Sequence, residues 1–137
     1  RESQRWVLER YSYNPLCVTD GWLDVLTDVA AQPKYREAVE KMSAQGLRSR
    51  VFLPEFQREK EETIARLADR GMQRPTLLVW GYNDPTATRD QGLALFDLLA
   101  AKERRTTLQI FNQAGHFVYR EHPKAFNEAV RAFIRSC

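Results

Sequence analysis

Two short apolar runs do most to limit what this chain can fold into. Pro75-Thr-Leu-Leu-Val-Trp80-Gly81 is continuous and apolar, and its length and flanking Pro and Gly favour a buried strand over a helix. Thr106-Thr-Leu-Gln-Ile-Phe111 reads as a second strand. Between them, Asn83-Asp84-Pro85 is turn chemistry. Thr88-x-x-Gln91 is a capping box, followed by Leu93, Leu95, Phe96, Leu98 and Leu99. After the second run, Gly115-His116 falls in a loop. His122-Pro123 then opens a last helix with Phe126, Ala129, Val130, Phe133 and Ile134 expected inward. Residues 74–137 therefore read as a βαβα unit, with parallel strands joined by a right-handed crossover. A parallel sheet normally carries helices on both faces, and two strands alone do not make a stable one. The chain holds no third run of this kind, so the remaining strands are expected outside it.

Residues 1–73 have a different texture, helical in pattern and rich in charge. Trp6, Val7, Arg10 and Tyr11 repeat at helical spacing. Thr19 and Asp20 can cap a helix through Trp22, Leu23, Val25, Leu26 and Val29. Pro33 can start another, with Tyr35, Val39 and Met42 on one face and Gly46 as its end. Pro54 can open a third, through Phe56, Ile64 and Leu67 to a C-cap at Gly71.

The bulk numbers exclude several classes. A chain of 137 residues is one domain's worth, and 43% hydrophobic residues can fill a core. No apolar run reaches about 18 residues, so no transmembrane helix is expected. Net charge is +3, but Lys and Arg alternate with Glu, as in Arg58-Glu59-Lys60-Glu61-Glu62. That is a solvated helix surface and not a nucleic-acid face. Cys17 and Cys137 make neither a disulfide framework nor a metal-ligand spacing, so no metal and no cofactor are expected, and a reducing cytoplasm is the default compartment. The start, Arg1-Glu2-Ser3-Gln4, has no apolar signal region and no initiator Met. The expectation is that the gene starts further upstream.

The chemistry gathers at two positions. Open α/β sheets place their sites at the carboxyl ends of the strands. Asp84 lies just past the first strand and His116 just past the second. Adjacent parallel strands are about 4.8 Å apart, so residues leaving their ends can meet. Alone, an Asp in Asn-Asp-Pro is a turn former, and a His after Gly is a loop residue. Together, they match an orienter–base pair, in which the carboxylate fixes the imidazole tautomer and stabilises the imidazolium.

Here a family resemblance becomes specific. Val79-Trp80-Gly81-Tyr82-Asn83-Asp84 is similar to the V-W-G-x-x-D segment of α/β-hydrolases. Leu108-Gln-Ile-Phe-Asn-Gln-Ala-Gly115-His116-Phe117 is similar to the closing strand and G-H loop of that family, and Glu121-His122-Pro123-Lys-Ala-Phe126-Asn127 to the helix that follows. Tyr13-Asn14-Pro15-Leu-Cys-Val-Thr19-Asp20 resembles a stretch in the caps of meta-cleavage product hydrolases, which cleave a carbon–carbon bond in vinylogous 1,5-diketones. The resemblance spans essentially the whole chain. It implies the C-terminal part of an α/β-hydrolase fold: a helical lid over 1–73, then the last βαβα unit of the core over 74–137. It also implies Asp84 as triad acid and His116 as base.

The same resemblance implies a nucleophilic Ser in G-x-S-x-G. Ser3, Ser12, Ser43, Ser49 and Ser136 are the serines, and none stands in that motif. Nucleophile, oxyanion hole and most of the sheet are then expected from an N-terminal half of the same fold. Three positions depart from the carbon–carbon hydrolases. Phe117 follows the His where they usually carry Trp, Leu26 stands where a lid Arg would align, and Pro85 directly follows the acid.

Phe117 and Val118, beside His116, are expected to line the substrate pocket. Trp6, Tyr11, Tyr13, Trp22, Phe52 and Phe56 are candidate lid aromatics, with helix packing as their simpler role. Trp22 is taken among the substrate contacts. His122 is expected near a helix N-cap, Asn83 in the turn around Asp84, and Cys17 as buried filler. The partners expected are a small, largely apolar substrate and the N-terminal half of the fold, with a homo-oligomer left open. The rival readings are a carboxylesterase or lactonase, a haloalkane dehalogenase or epoxide hydrolase, a non-catalytic binding protein of the same fold, and a helical interaction module over 1–73.

Overall fold

The computed structural model describes residues 1–137, the side chain of Gln45 excepted. Four helices come first: α1 Glu2–Tyr11, α2 Asp20–Ala31, α3 Pro33–Ser43 and α4 Leu53–Arg70. Then follow β1 Thr76–Gly81, α5 Arg89–Ala100, β2 Thr106–Phe111, a single turn α6 Val118–Glu121, and α7 Pro123–Ser136.

Local chemistry accounts for most boundaries. Thr19 Oγ1 accepts from Trp22 N at 3.3 Å and caps α2. The Thr88–Gln91 capping box is formed, with Gln91 Oε1 accepting from Thr88 N at 2.8 Å. Gly71 ends α4 with φ +64°, a conformation that costs a side chain-bearing residue but not glycine.

The link from α3 to α4 differs from expectation. Helix α3 stops at Ser43, a 3-10 turn carries the chain through Gly46, and a wide helical turn spans Arg48–Phe52. Pro54 therefore sits inside the first turn of α4 and does not start the helical path. A proline here would clash with a regular α-helical turn before it, and the preceding turn is instead a wider one in which Leu53 N donates to Arg48 O.

Strands β1 and β2 pair in parallel, in register from Thr76↔Thr106 to Gly81↔Phe111. Helix α5 supplies the crossover. Buried Phe111, Ala114 and Val118 form the core below the strand ends, with Val79, Phe126 and Ala129 packed on them. Three expected burials fail. Five of the six β1 residues are only half-buried, because a two-stranded sheet leaves much of its faces uncovered by the described residues. Ile134 on α7 is 66% exposed, since Phe126 and Ala129 take the contact with the core one to two turns earlier. Cys17 is also half-buried and not filler; its thiol donates to Ser12 Oγ at 3.3 Å.

Candidate active site

The turn after β1 is built around Asp84. Tyr82 N donates to Phe111 O and Asn83 N to Ala114 O, both at 2.8 Å, so the two strand ends stay together beyond the ladder. Asn83 takes part through its backbone. Asp84 Oδ1 accepts from Thr86 N at 2.8 Å, Thr86 Oγ1 at 2.9 Å and Ala87 N at 3.0 Å. This is an Asx turn, in which Pro85 supplies a fixed φ and no competing N–H. It consumes one carboxylate oxygen and leaves the other directed at the neighbouring loop.

That second oxygen, Oδ2, lies 2.7 Å from His116 Nδ1. The Asp84 side chain is 6% exposed and the imidazole 44%. Burial pushes the Asp84 carboxyl up, but the hydrogen bonds from Ala87 N, Thr86 N, His116 and Thr86 Oγ1 outweigh it and hold the group below its ordinary range. Asp84 is thus ionised near neutral pH. A carboxylate at that distance accepts from Nδ1–H, so a neutral imidazole is held in the tautomer whose Nε2 carries the lone pair. Thr86 Oγ1 also lies 3.3 Å from Nδ1, beside the same contact.

The loop carrying His116 is pinned from the helical half. His116 N donates to Tyr11 O at 2.7 Å, and the Tyr11 ring centroid is 5.8 Å from the imidazole. Phe117 meets the imidazole edge-on at 5.3 Å and Trp22 edge-on at 4.9 Å, geometries in which ring edge meets ring face. The Arg120 guanidinium lies over the Trp22 ring at 4.2 Å. A cavity of about 150 Å³ reaches from Val79 and Trp80 past Asp84 to His116 and Val118. A larger, mostly apolar cavity of about 300 Å³ lies between α1 and α2, lined by Ser3, Gln4, Val7, Leu8 and Leu26. It holds no titratable pair, so the chemistry favours the smaller one.

The structure therefore brings Asp84, His116, Phe117, Val118 and Trp22 into one neighbourhood. Val118 is also part of the core, at 6% exposure. Phe52 and Phe56 stack on each other at 5.9 Å, apart from this group, and Trp6 is capped by Arg10 at 4.2 Å. His122 is the N-cap of α7 and its Nε2 contacts Gln113 O at 2.9 Å. Ser12 lies with its backbone against Gly115, yet its hydroxyl donates to Leu8 O at 2.8 Å. Among the described residues, no cluster of His, Cys, Asp and Glu could hold a metal ion. Among the described residues, no helix is long and apolar enough to cross a membrane.

Two residues at the site escaped sequence reasoning. Thr86 could have been found from the Asp-Pro-Thr order, since an Asx turn uses the backbone N–H two residues on, and a Thr there sets its hydroxyl beside the same carboxylate. Glu121 gave no signal of its own, because its partners lie in loops.

Residues 52–137 match the model of the prolyl oligopeptidase family. The 2-hydroxy-6-oxononadienedioate/2-hydroxy-6-oxononatrienedioate hydrolase 2 of Pseudomonas putida is 39% identical over 71 residues, which are 52% of this chain and 23% of that protein. The hydrolase named for the same two compounds in Escherichia coli strain K12 / DH10B is 41% identical over 69 residues, 50% of this chain and 22% of its own length. Among solved structures, a variant of the meta-cleavage product hydrolase CumD superposes with TM-score 0.69 at 24% identity, covering 99% of this chain and 46% of that one. The CumD of Pseudomonas fluorescens IP01, in a variant complexed with acetates, gives 0.68 at 24%, covering 98% and 45%. The chain thus spans about half the length of the solved structures it matches, and has the C-terminal part of an α/β-hydrolase fold.

Proposed function

The chain belongs to the prolyl oligopeptidase family, and from that premise we propose that it supplies the acid and the base of a Ser-His-Asp hydrolase. The observation that carries this is the 2.7 Å contact between Asp84 Oδ2 and His116 Nδ1. Asp84 is the acid. It holds His116 in the Nδ1–H tautomer and stabilises the imidazolium. His116 is the base. Its Nε2 takes the proton of a Ser on the N-terminal half of the fold, returns it to the leaving group, and then activates water for the second half-reaction.

The substrate is small and largely apolar. Trp22, Phe117 and Val118 line its pocket, and the helices of residues 1–73 form the lid above it. The ring contacts from Trp22 through Phe117 to His116 support this placement. The family is named for a peptidase, whereas the curated relatives are named for dienedioate and trienedioate hydrolysis. Identity of 39% across the matched segment favours the relatives' chemistry, with a vinylogous diketone meta-cleavage product as substrate. Phe117 for Trp and Leu26 for Arg leave an ester or lactone as the second reading.

In the complete hydrolase, His116→Ala should abolish turnover. A variant rate within a few-fold of wild type would sink the assignment.

A further inference from the structure

Glu121 ties the loop just before it to a stretch of chain 107 residues away. Its Oε1 accepts from Gly115 N at 2.7 Å, and its Oε2 accepts from Asn14 N at 2.8 Å. Gly115 immediately precedes His116. Asn14 lies in the segment that leaves α1, and Tyr11 at the start of that segment accepts from His116 N at 2.7 Å. The two stretches are pressed together: a Cβ on Gly115 would stand 2.4 Å from Tyr11 O and 2.7 Å from Tyr13 N.

We propose that Glu121 is a positioning residue for the reaction, acting through His116. This inference rests on the reading of His116 as the base. The loop of residues 112–117 has no ladder of its own to hold it. A loop presenting a reacting group needs supporting side chains to keep it within about half an ångström of the productive geometry. Glu121 provides two charge-assisted bonds for this, a stronger class than neutral pairs. Asp84 is held separately by Thr86 and Ala87. Loss of Glu121 therefore lets the base move relative to an acid that stays in place. It also releases the loop from the segment through which the helical half is tied to it. Because Glu121 does not line the cavity that holds Asp84 and His116, substrate binding is little affected.

The test uses the complete hydrolase, with p-nitrophenyl acetate as the probe, in wild type, Glu121→Ala, Glu121→Gln and His116→Ala. The Glu121 variants should lose about tenfold or more in kcat, with KM within about twofold and melting temperature nearly unchanged. Gln keeps one acceptor and places a donor against the other N–H, so its loss falls between Ala and wild type. If Glu121→Ala does not fold, Glu121→Gln carries the test. A kcat within about twofold of wild type overturns the proposal, and so does a loss that appears only where the variant has begun to melt. Turnover surviving in His116→Ala overturns the reading of His116 itself, whatever Glu121 does.

Discussion

The strand-bearing half buries Leu99, Phe111, Ala114 and Val118, whereas the helical half buries Val18 and Leu23 and leaves Val25, Val29, Tyr35, Val39 and Phe56 exposed. Both halves are regular, but for different reasons. Helices α2 and α4 satisfy their own backbone, and α4 adds the surface pairs of Arg58 with Glu55 and Glu62 at 2.7 Å. Exposed pairs of this kind are screened by solvent and contribute little to stability. In the second half, order depends on contacts between residues distant in sequence: β1 with β2, and both strand ends with the His116 loop. A helix can form with an apolar face uncovered, while a parallel pair needs its neighbours in place.

This contrast predicts where substitutions act. The largest effect should come from Asp84→Asn, which keeps the shape and removes the charge that selects the imidazole tautomer. Turnover of the complete hydrolase should fall by about 10⁴-fold with KM little changed. The stability of the wild type should also respond to acid with a definite sign. The Asp84 carboxyl is held below its ordinary range, so its contribution is fully present above about pH 4 and is lost as pH falls through the depressed value. Chemical denaturation of wild type and Asp84→Asn below pH 4 should bring their stabilities closer together. A constant gap would break the link between this pair and the second half.

Next in size is Gly81→Ala. A Cβ there would meet Gly115 O at 2.0 Å and Ala114 O at 2.7 Å, both backbone atoms that cannot swing aside. The cost should be about 3 kcal/mol or more by denaturant titration, and a loss below about 1 kcal/mol would show that the strand end and the loop are not packed as described.

The last comparison sets two residues of one helix against each other, and the smallest effect of all falls on one of them. Leu23 on α2 is 0% exposed and Val25 is 60% exposed. Leu23→Ala should cost about 2–5 kcal/mol, and Val25→Ala within about 0.5 kcal/mol. Equal losses would mean that the outer face of α2 is covered in solution, and the contrast between the halves would narrow.

Much of this organisation is legible in the chain. The capping residues Thr19 and Thr88 with Gln91, the terminator Gly71, and the two strand runs act over three or four neighbours, so their sequence neighbourhood is enough to place them. Asp84 and His116 could be paired because strand ends are a known location for chemistry. The outward turn of Ile134 and the half-exposed β1 could not be read this way. An apolar residue carries no mark of whether another layer covers it.

The sequence by itself determined the order of elements, the turn that holds Asp84 and the glycine beside His116, because propensity, capping and turn chemistry are local properties. Tertiary structure alone decided that Glu121 would reach both Gly115 and Asn14 and that Trp22 would meet Phe117. Those pairings depend on how segments far apart in the chain are laid across one another, and no periodicity within a segment encodes that.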